Sequence, residues 1–342
     1  MNSSVATADH ALEPTIAATL RSIATARASG PYQVRQVDEL QPRLTQLFRS
    51  NGLPDARIDN LRRMGGGASK EQFTFALTTR DQSMRRCVLR MDPMEAAVLT
   101  SRAREFAALH AMQGIVPAPA PLLMDESGDT LGRPALVTAF VDGVTKPQAQ
   151  TTNVSGFGTA FPAELRTALK RPFLAHLAAI HAYDWRKLPP ALFQAPTATP
   201  TQAALWQLNW WSAVWGQDAL ERIPMMGLAE RWLRRNLPAA RDLVLVHSDY
   251  RTGNYLFDEQ RREISAILDW ELVHIGDYHQ DLAWIAIKSW SHCEHGVWLA
   301  SSLMPQTELL ETYAALTDRV IDSKTLYFYQ VLGLYQCIVI CL

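Results

Sequence analysis

The chain has 342 residues, of which 48% are hydrophobic and 20% are charged. A chain of this length is too long for one small module and predicts two packed domains or one bilobal domain, and its composition excludes wholesale disorder. The 33 Lys and Arg residues and the 34 Asp and Glu residues give a formal net charge of -1. This balance gives no overall attraction to nucleic acid or to an anionic membrane, so we expect neither as a partner.

The two ends of the chain predict a leader and a buried helix. Residues 1–36 predict a flexible leader with a helical turn around Ile16, Leu20 and Ile23, and its first part lacks the basic start and apolar run of a secretory signal. Residues 326–342 form the most apolar stretch, which falls just short of a usual membrane span and includes Gln and Gly, so a buried terminal helix is favoured. The four cysteines are scattered without a pairing framework, which is typical of the cytoplasm.

Between residues 37 and 143 the pattern predicts a small lobe of strands and helices. Leucines repeat at helical spacing over residues 37–49, and short strand-like runs fill residues 56–90 on both sides of a glycine triplet. A helix is predicted over residues 95–112, and an apolar strand over residues 134–141 follows a run of prolines.

After residue 143 the chain becomes mainly helical. A polar linker is predicted over residues 144–162, and helical patterns, including a Trp-rich helix and a basic helix, then extend toward the end of the chain. This order predicts an α+β fold with two lobes, a small mixed β-sheet lobe at residues 37–143 and a larger helical lobe at residues 144–342. A cleft between two such lobes is a favoured place for a ligand.

One polar loop carries the strongest chemical signal. An apolar strand over residues 243–246 runs into this loop and a later strand ends in Asp269, so Asp249, Asn254 and Asp269 are predicted to point into one pocket. Two acids and an amide supply the oxygen donors that suit Mg²⁺. The spacing from His247 to Asn254 matches the kinase H-x-D-x-x-x-x-N loop, whose Asp acts as base and whose Asn is a metal ligand. The alternative is a polar loop whose Asp residues cap turns.

Several motifs together resemble one known family. They are His247-Ser248-Asp249-Tyr250-Arg251-Thr252-Gly253-Asn254, Leu268-Asp269-Trp270-Glu271, Gly276-Asp277 and Asp281-Leu282-Ala283. They resemble the aminoglycoside phosphotransferase and choline kinase-like superfamily, and most closely the kinase-like domain of acyl-CoA dehydrogenase family members and its bacterial stand-alone relatives, over residues 37–342. The resemblance implies a bilobal protein-kinase-like fold and a small-molecule kinase that uses ATP and Mg²⁺.

The resemblance also implies roles for the loop residues. The predicted catalytic residues are Asp249 as the base, His247 as a brace for the loop, and Arg251. The predicted metal ligands are Asn254 and Asp269.

Two further positions bear on the same loop. Asp281 is implied to anchor the loop backbone from the next helix. Ser248 stands where aminoglycoside kinases usually carry Gly, a departure that we do not expect to remove function.

A glycine turn in the small lobe is predicted to bind nucleotide. The turn contains Gly65, Gly66, Gly67 and Ser69, and it looks like the Gly-Gly-x-Ser turn of this branch. Its backbone N–H groups would cover the ATP phosphates, since glycine permits close approach. A plain hairpin turn is the alternative.

Four other residues complete the predicted nucleotide site. Arg90 stands at the strand position where a protein kinase has its phosphate-pairing Lys, and this branch is similar to choline kinases in using Arg there. Glu105, on the following helix, is its expected ion-pair partner, with a solvated surface pair as the alternative. Phe140 and Val141 resemble the hinge between the lobes, whose backbone would meet adenine.

Other constellations carry less weight. His292, Cys293 and His295 suit zinc, but no second cluster lies nearby at metal spacing, so a loop with exposed His is favoured. Around Ser155 the G-x-S-x-G elbow of a hydrolase is absent. No A-P-E segment follows Asp269, which disfavours a protein kinase.

The Trp-rich helix leaves two alternatives open. Trp206, Trp210, Trp211 and Trp215 recur at near-helical intervals, which is typical either of a core stripe or of an aromatic wall for an acceptor. The helix has few acids, which disfavours a polycationic aminoglycoside as substrate.

The sequence therefore predicts transfer of the γ-phosphate of ATP to a hydroxyl of a small-molecule acceptor, with a hydroxyacyl-CoA or a hydroxy acid suggested by the resemblance. The alternatives are a nucleotide- or metabolite-binding protein without turnover and an aminoglycoside or other antibiotic kinase. We expect a cytoplasmic monomer or homodimer.

Overall fold

The computed structural model describes residues 12–28, 36–65, 71–92, 100–148, 156–219, 221 and 223–341. These residues form nine α-helices and twelve β-strands. The helices are α1 (Pro14–Ala28), α2 (Val37–Ser50), α3 (Arg102–Met112), α4 (Ala163–Ala182), α5 (Gln202–Asp218), α6 (Pro224–Arg235), α7 (His279–Ile285), α8 (Gln306–Thr317) and α9 (Ser323–Cys341). The strands are β1 (Arg57–Arg63), β2 (Glu71–Thr78), β3 (Met84–Met91), β4 (Pro121–Asp125), β5 (Ala135–Ala139), β6 (Leu243–Val246), β7 (Tyr255–Asp258), β8 (Glu263–Ile267), β9 (His274–Asp277), β10 (His292–Glu294), β11 (Val297–Ala300) and β12 (Met304–Pro305).

The small lobe is built on a five-stranded antiparallel sheet with the strand order β1-β2-β3-β5-β4. Successive residues of a strand point to opposite faces, so Phe73 of β2 and its neighbour Leu89 of β3 bury their side chains in one core. Helix α2 covers this core with Leu40, Leu44 and Phe48. The predicted helix over residues 37–49 is confirmed, because its apolar stripe is the face that packs on the sheet.

Helix α3 begins later than predicted. The sequence pattern predicted its start at residue 95, but Thr100 and Ser101 are not helical and residues 93–99 lie outside the described residues. Ser101 is the N-cap, since its hydroxyl oxygen accepts the backbone N–H of Arg104 at 3.3 Å. The cap sets the helix start, and it places Glu105 in the first turn.

The predicted leader over residues 1–36 contains a long helix that packs on the protein. Helix α1 buries Ile16 and Leu20 in the large core. Just before it, Glu13 forms an ion pair with Arg104 of α3, and both side chains are at most 4% exposed. A flexible leader was therefore wrong for this segment, because apolar spacing and a buried charge pair fix it; most of the remaining leader lies outside the described residues.

In the described residues the large lobe contains two short β-ribbons and a three-stranded sheet, β10-β11-β12, among its helices. Strand β6 pairs with β9, and β7 pairs with β8, so the loops at the ends of β6 and β8 lie next to one another. The terminal helix α9 buries Tyr329 and Leu332 in the large core, which confirms the predicted buried helix. In the part of the chain that the structure describes, every helix is too short or too polar to span a bilayer.

Candidate active site

The polar loop after β6 is fixed by its own backbone and by the strand pair beside it. The N–H of Asn254 donates to the carbonyl of Arg251 at 3.0 Å, and the carbonyl of Asn254 accepts the N–H of Leu268 at 2.8 Å. His247 reaches the same strand end, since its Nε2 lies 2.9 Å from the carbonyl oxygen of Leu268. The loop and the segment that carries Asp269 are thus held together, as the sequence predicted.

His247 braces the loop as a neutral imidazole. Its side chain is fully buried, with Nε2–H donating to the Leu268 carbonyl and Nδ1 accepting the N–H of Asp249 at 3.3 Å. Burial lowers the pKa of His247 despite the nearby carboxylates. A neutral ring can donate on one side and accept on the other, which both contacts require.

Asp281 anchors the loop backbone from helix α7. Its two carboxylate oxygens accept the N–H of His247 at 2.8 Å and the N–H of Ser248 at 2.7 Å. Ser248 has a φ of 72°, in the left-handed region that favours glycine, which accounts for the Gly usual at this position. The Ser248 hydroxyl compensates in part, because it accepts a hydrogen bond from Gln280 at 2.9 Å.

The carboxylate of Asp249 is held by three donors. Oδ1 accepts the Nε–H of Arg251 at 2.8 Å and the indole N–H of Trp284 at 2.7 Å. Oδ2 accepts a short hydrogen bond from the side-chain amide of Asn254. Burial raises the pKa of Asp249, and the Arg251 charge opposes that rise. A positioned carboxylate with a raised pKa suits a general base.

Asn254 and Asp269 supply oxygen donors that fit a magnesium ion. The side-chain amide nitrogen of Asn254 donates to Asp249, which leaves the side-chain oxygen Oδ1 of Asn254 as a metal ligand. Asp269 adopts a left-handed conformation with a φ of 58°, and its side chain is one-third exposed. Two protein oxygens completed by phosphate oxygens and water are a usual magnesium environment.

The charges around Asp269 agree with a cation at this position. Arg90 of β3 donates to Asp269 at 2.6 Å and to Glu105 of α3 at 2.7 Å, while Arg102 contacts Glu105 and Glu271. In the described residues this cluster contains two guanidinium groups, those of Arg90 and Arg102, and four carboxylates. The carboxylates are those of Asp92, Glu105, Asp269 and Glu271. A divalent cation would neutralise the excess of two negative charges.

Arg90 and Glu105 form a buried ion pair rather than a solvated one. The Arg90 side chain is 12% exposed and that of Glu105 is fully buried. Burial opposes the charge, but Glu105, Asp269 and Glu271 together raise the pKa of Arg90, so the guanidinium stays charged. One of its nitrogens binds Glu105 of the small lobe and another binds Asp269 of the large lobe, so Arg90 links the two lobes.

The hinge connects the two lobes through a short β-bridge. The N–H of Phe140 donates to the carbonyl of Arg86 at 2.9 Å, so this N–H is already paired within the small lobe. Val141 follows and is half-buried. Val144 then exchanges two hydrogen bonds of 3.0 Å with Phe257 of β7. The predicted hinge therefore joins the sheet of the small lobe to the ribbon beside the polar loop after β6, residues 247–254, which is the candidate catalytic loop.

The glycine turn is described only at its start. Gly65 follows β1, and the space around the position of a Cβ atom there is open. Gly66, Gly67 and Ser69 lie outside the described residues. Their predicted contacts with ATP stay predictions.

Comparison with known proteins gives the family. The model of the phosphotransferase enzyme family matches residues 60–313 of the chain. The chain belongs to this family. The match spans both lobes, from β1 through the catalytic loop to α8.

The curated relatives of this chain are much longer proteins. Acyl-CoA dehydrogenase family member 11 of Rattus norvegicus is 29% identical over 186 residues, which cover 54% of this chain and 22% of that protein. Family member 10 of Mus musculus is 27% identical over 204 residues, which cover 58% of this chain and 18% of that protein. The chain thus spans about a fifth of the length of these relatives.

Solved structures share the fold. A protein of Ralstonia eutropha that is assigned as an aminoglycoside phosphotransferase is 20% identical. Its TM-score is 0.59, and the match covers 91% of this chain and 88% of that one. The choline kinase of Streptococcus pneumoniae is 12% identical, with a TM-score of 0.54 and coverage of 88% and 89%. A spectinomycin phosphotransferase in complex with ADP and spectinomycin is 13% identical, with a TM-score of 0.50 and coverage of 90% and 87%. The predicted α+β kinase-like fold is confirmed.

Some residues of the candidate site were not predicted. Trp284 donates to the candidate base, and Arg102 and Glu271 extend the ion-pair cluster. Trp284 follows Asp281 by three residues on one helix, a spacing that puts both on the face toward the loop and that could have indicated the contact. Arg102 and Glu271 lie 169 residues apart, so no local sequence pattern indicates their contact.

The structure also describes the His292 cluster and the Trp-rich helix. In the described residues no group of three or more His, Cys, Asp or Glu side chains is placed to hold a metal ion, so a zinc centre at His292 and Cys293 gains no support. Trp210 and Trp211 are buried and stack with centroids 5.2 Å apart in the large core. This favours the core stripe over the aromatic wall.

Proposed function

We propose that this protein is an ATP-dependent kinase that transfers the γ-phosphate of ATP to a hydroxyl group of a small molecule. The observation that carries the proposal is the Asp249 carboxylate, held by Asn254 and Arg251 in the loop that adjoins Asp269. Membership of the phosphotransferase family and the fold shared with a choline kinase support it. The ADP complex of the structurally similar spectinomycin phosphotransferase supports a nucleotide as the donor.

Each side chain has a defined task in this reaction. Asp249 orients the acceptor hydroxyl and takes its proton, and Arg90 exchanges its contact with Asp269 for the phosphates of ATP. Asn254 and Asp269 would hold Mg²⁺, which supplies positive charge to the phosphate oxygens. Most of the rate enhancement then comes from positioning and electrostatics rather than from covalent chemistry.

We propose a hydroxy acid or a hydroxyacyl-CoA as the acceptor. The names of the curated relatives point to acyl-CoA chemistry, although the chain spans only about a fifth of those proteins. The guanidinium of Arg251 lies beside the candidate base and 5.1 Å from the centroid of the Trp290 ring. A fixed cation next to the reacting hydroxyl favours an anionic acceptor over a polycationic aminoglycoside.

The test is ATP consumption over a panel of acceptors, with the phosphorylated product identified by mass spectrometry. The panel contains 3-hydroxybutyrate, 3-hydroxybutyryl-CoA, choline and kanamycin, and Asp249→Asn is the matched control. We expect an Asp249-dependent product with a hydroxy acid or its thioester. A product with kanamycin alone would overturn the acceptor class, and binding of Mg-ATP without any product would indicate a protein that binds nucleotide without turnover.

A further inference from the structure

The hydrogen bonds to Asp249 are distributed unevenly between its two oxygens. An ionised carboxylate offers about four lone-pair positions, two on each oxygen. Arg251 and Trp284 fill both positions on Oδ1, with donor distances of 2.8 and 2.7 Å. In the described residues Oδ2 accepts only from Asn254. The uneven distribution leaves one position on Oδ2 for a further donor.

The donor from Trp284 comes from the helix that also fixes the loop backbone. Asp281 of α7 binds the N–H groups of His247 and Ser248, and Trp284 lies three residues later on the same helix. One rigid element therefore holds both the backbone of the loop and the side chain of the base. A shift of α7 would move both together, so their relative geometry is preserved.

The Trp284 ring is itself fixed by a small apolar cluster. The ring is 4% exposed, it packs on Trp290 with centroids 4.5 Å apart, and the indole N–H of Trp290 donates to the Trp284 carbonyl at 2.7 Å. Helix α9 closes the cluster at Gly333, where a Cβ atom would lie 3.4 Å from the Trp284 ring and 2.8 Å from Ile287. The indole is therefore packed between Trp290 and helix α9, which restricts rotation of its N–H away from Asp249.

We propose that Trp284 is a positioning residue for phosphoryl transfer, whose indole N–H occupies Oδ1 of Asp249 and so turns Oδ2 toward the acceptor hydroxyl. This inference rests on the proposed function. In the step that it serves, the acceptor oxygen forms a bond to the γ-phosphorus of ATP, and the bond from that phosphorus to the β–γ bridging oxygen breaks. ADP leaves with that electron pair, and the hydroxyl proton passes to Oδ2 of Asp249.

The test removes the N–H without changing the shape of the ring. Trp284 is replaced by 3-benzothienylalanine, an isostere of tryptophan in which sulfur takes the place of the N–H group, and in parallel by Trp284→Phe. Trp211→Phe is the matched control, because Trp211 is equally buried and its indole N–H has no partner in the described structure. We expect the isostere to lower kcat by about 10- to 100-fold, the range for a hydrogen bond to a charged group. The KM for ATP and the thermal midpoint should change little.

A second measurement reports the contact without turnover. The indole ¹H–¹⁵N resonance of Trp284, assigned by its loss in Trp284→Phe, should move upfield in Asp249→Asn and stay in place in Glu164→Gln, which alters an exposed carboxylate far along the chain. A wild-type kcat in the isostere, or a Trp284 indole resonance that does not move in Asp249→Asn, would overturn the inference. If Asp249→Asn itself keeps full turnover, the proposed function fails; if only the isostere keeps it, the inference alone fails.

Discussion

The fully buried carboxylate of Asp281 accepts two backbone N–H groups of the catalytic loop, and His181 approaches the same carboxylate at 3.0 Å. The hydroxyl of Tyr313 lies 2.7 Å from the other ring nitrogen of His181, so the imidazole is held in place. Burial opposes the charge of Asp281, but the hydrogen bonds from His181 and from the backbone N–H of His247 lower its pKa below the ordinary value of 3.8. One carboxylate thus ties α4, α7 and the catalytic loop together.

This arrangement predicts a pH-dependent contribution to stability. Because the folded-state pKa of Asp281 lies below its unfolded value, its stabilising effect is present above that value and is lost as the pH falls toward the folded pKa. Asp281→Asn should lower the free energy of unfolding by about 2 kcal/mol at neutral pH, since hydrogen bonds to a charged acceptor are weakened. Urea unfolding should show this difference shrinking as the pH falls from about 5 to 3. The exposed-site control Glu164→Gln should show no such trend, and a constant difference for Asp281→Asn would contradict the account.

The sequence predicted the loop residues but not all of their partners. The H-x-D-x-x-x-x-N spacing is local, so His247, Asp249 and Asn254 could be assigned from the chain alone. The contact of Arg90 with Asp269 joins positions 179 residues apart, and only the fold brings them together. The same holds for Arg102, which sequence reasoning passed over.

At the scale of elements, the catalytic loop is shaped by a glycine outside it. Gly156 has a φ of 87°, and a Cβ atom there would lie 2.4 Å from the carbonyl oxygen of Thr252 and 2.5 Å from Arg251. Gly158 also has a left-handed φ of 63°, but the space beside it is open. Both glycines therefore have a backbone conformation that a side chain would strain, but only at Gly156 would an added Cβ atom collide with the loop.

Alanine substitutions at these two glycines separate strain from contact. Gly158→Ala should cost about 1 kcal/mol of stability, the usual penalty for a left-handed residue with a side chain, and leave turnover unchanged. Gly156→Ala should carry the same strain and in addition displace Arg251 and Thr252, lowering kcat by about 10-fold or more, since small misplacements in an active site are costly. Chemical unfolding and steady-state kinetics on both variants give the comparison. Equal kcat values for the two would show that this contact does not shape the loop.

Helix α1 is secured by a buried charge pair. Removing one partner of such a pair leaves an uncompensated charge, so Glu13→Gln should lower the free energy of unfolding by about 3–5 kcal/mol. Glu164→Gln breaks the exposed pair with Arg262, whose side chains are 77% and 50% exposed, and should cost less than about 1 kcal/mol. Urea unfolding of both variants makes the comparison. Similar losses for the two would mean that α1 is held by its apolar face alone.

The elements that sequence reasoning missed are those whose signals depend on the fold. Helix α1 is rich in Ala and Thr and carries only a sparse apolar stripe, so its stability comes from packing on the large core. Strand β4 begins at Pro121, which is tolerated because β4 is an edge strand and needs no N–H at its first residue. Helix α2 was predicted correctly, since its leucines match the helical period.

At the scale of the whole molecule, the small sheet and the large helical lobe meet around one cluster of charges. Arg90 from the small lobe contacts Asp269 from the large lobe at 2.6 Å. In the proposed reaction Arg90 binds the phosphates of ATP and Asp269 binds Mg²⁺, so both groups of this contact are needed for the ligand. Binding of Mg-ATP is therefore expected to replace a direct contact between the lobes with one made through the ligand.

The central claim assigns different tasks to two aspartates, and one experiment separates them. Mg-ATP is titrated calorimetrically into Asp249→Asn and Asp269→Asn, and turnover of both is measured with the acceptor found in the panel. Asp249→Asn should keep nucleotide affinity and lose about 10²–10⁴-fold in turnover, the range for a general base. Asp269→Asn should lose Mg-dependent affinity as well, with partial recovery at high Mg²⁺. Loss of affinity in Asp249→Asn with affinity retained in Asp269→Asn, or full turnover in both, would contradict the account.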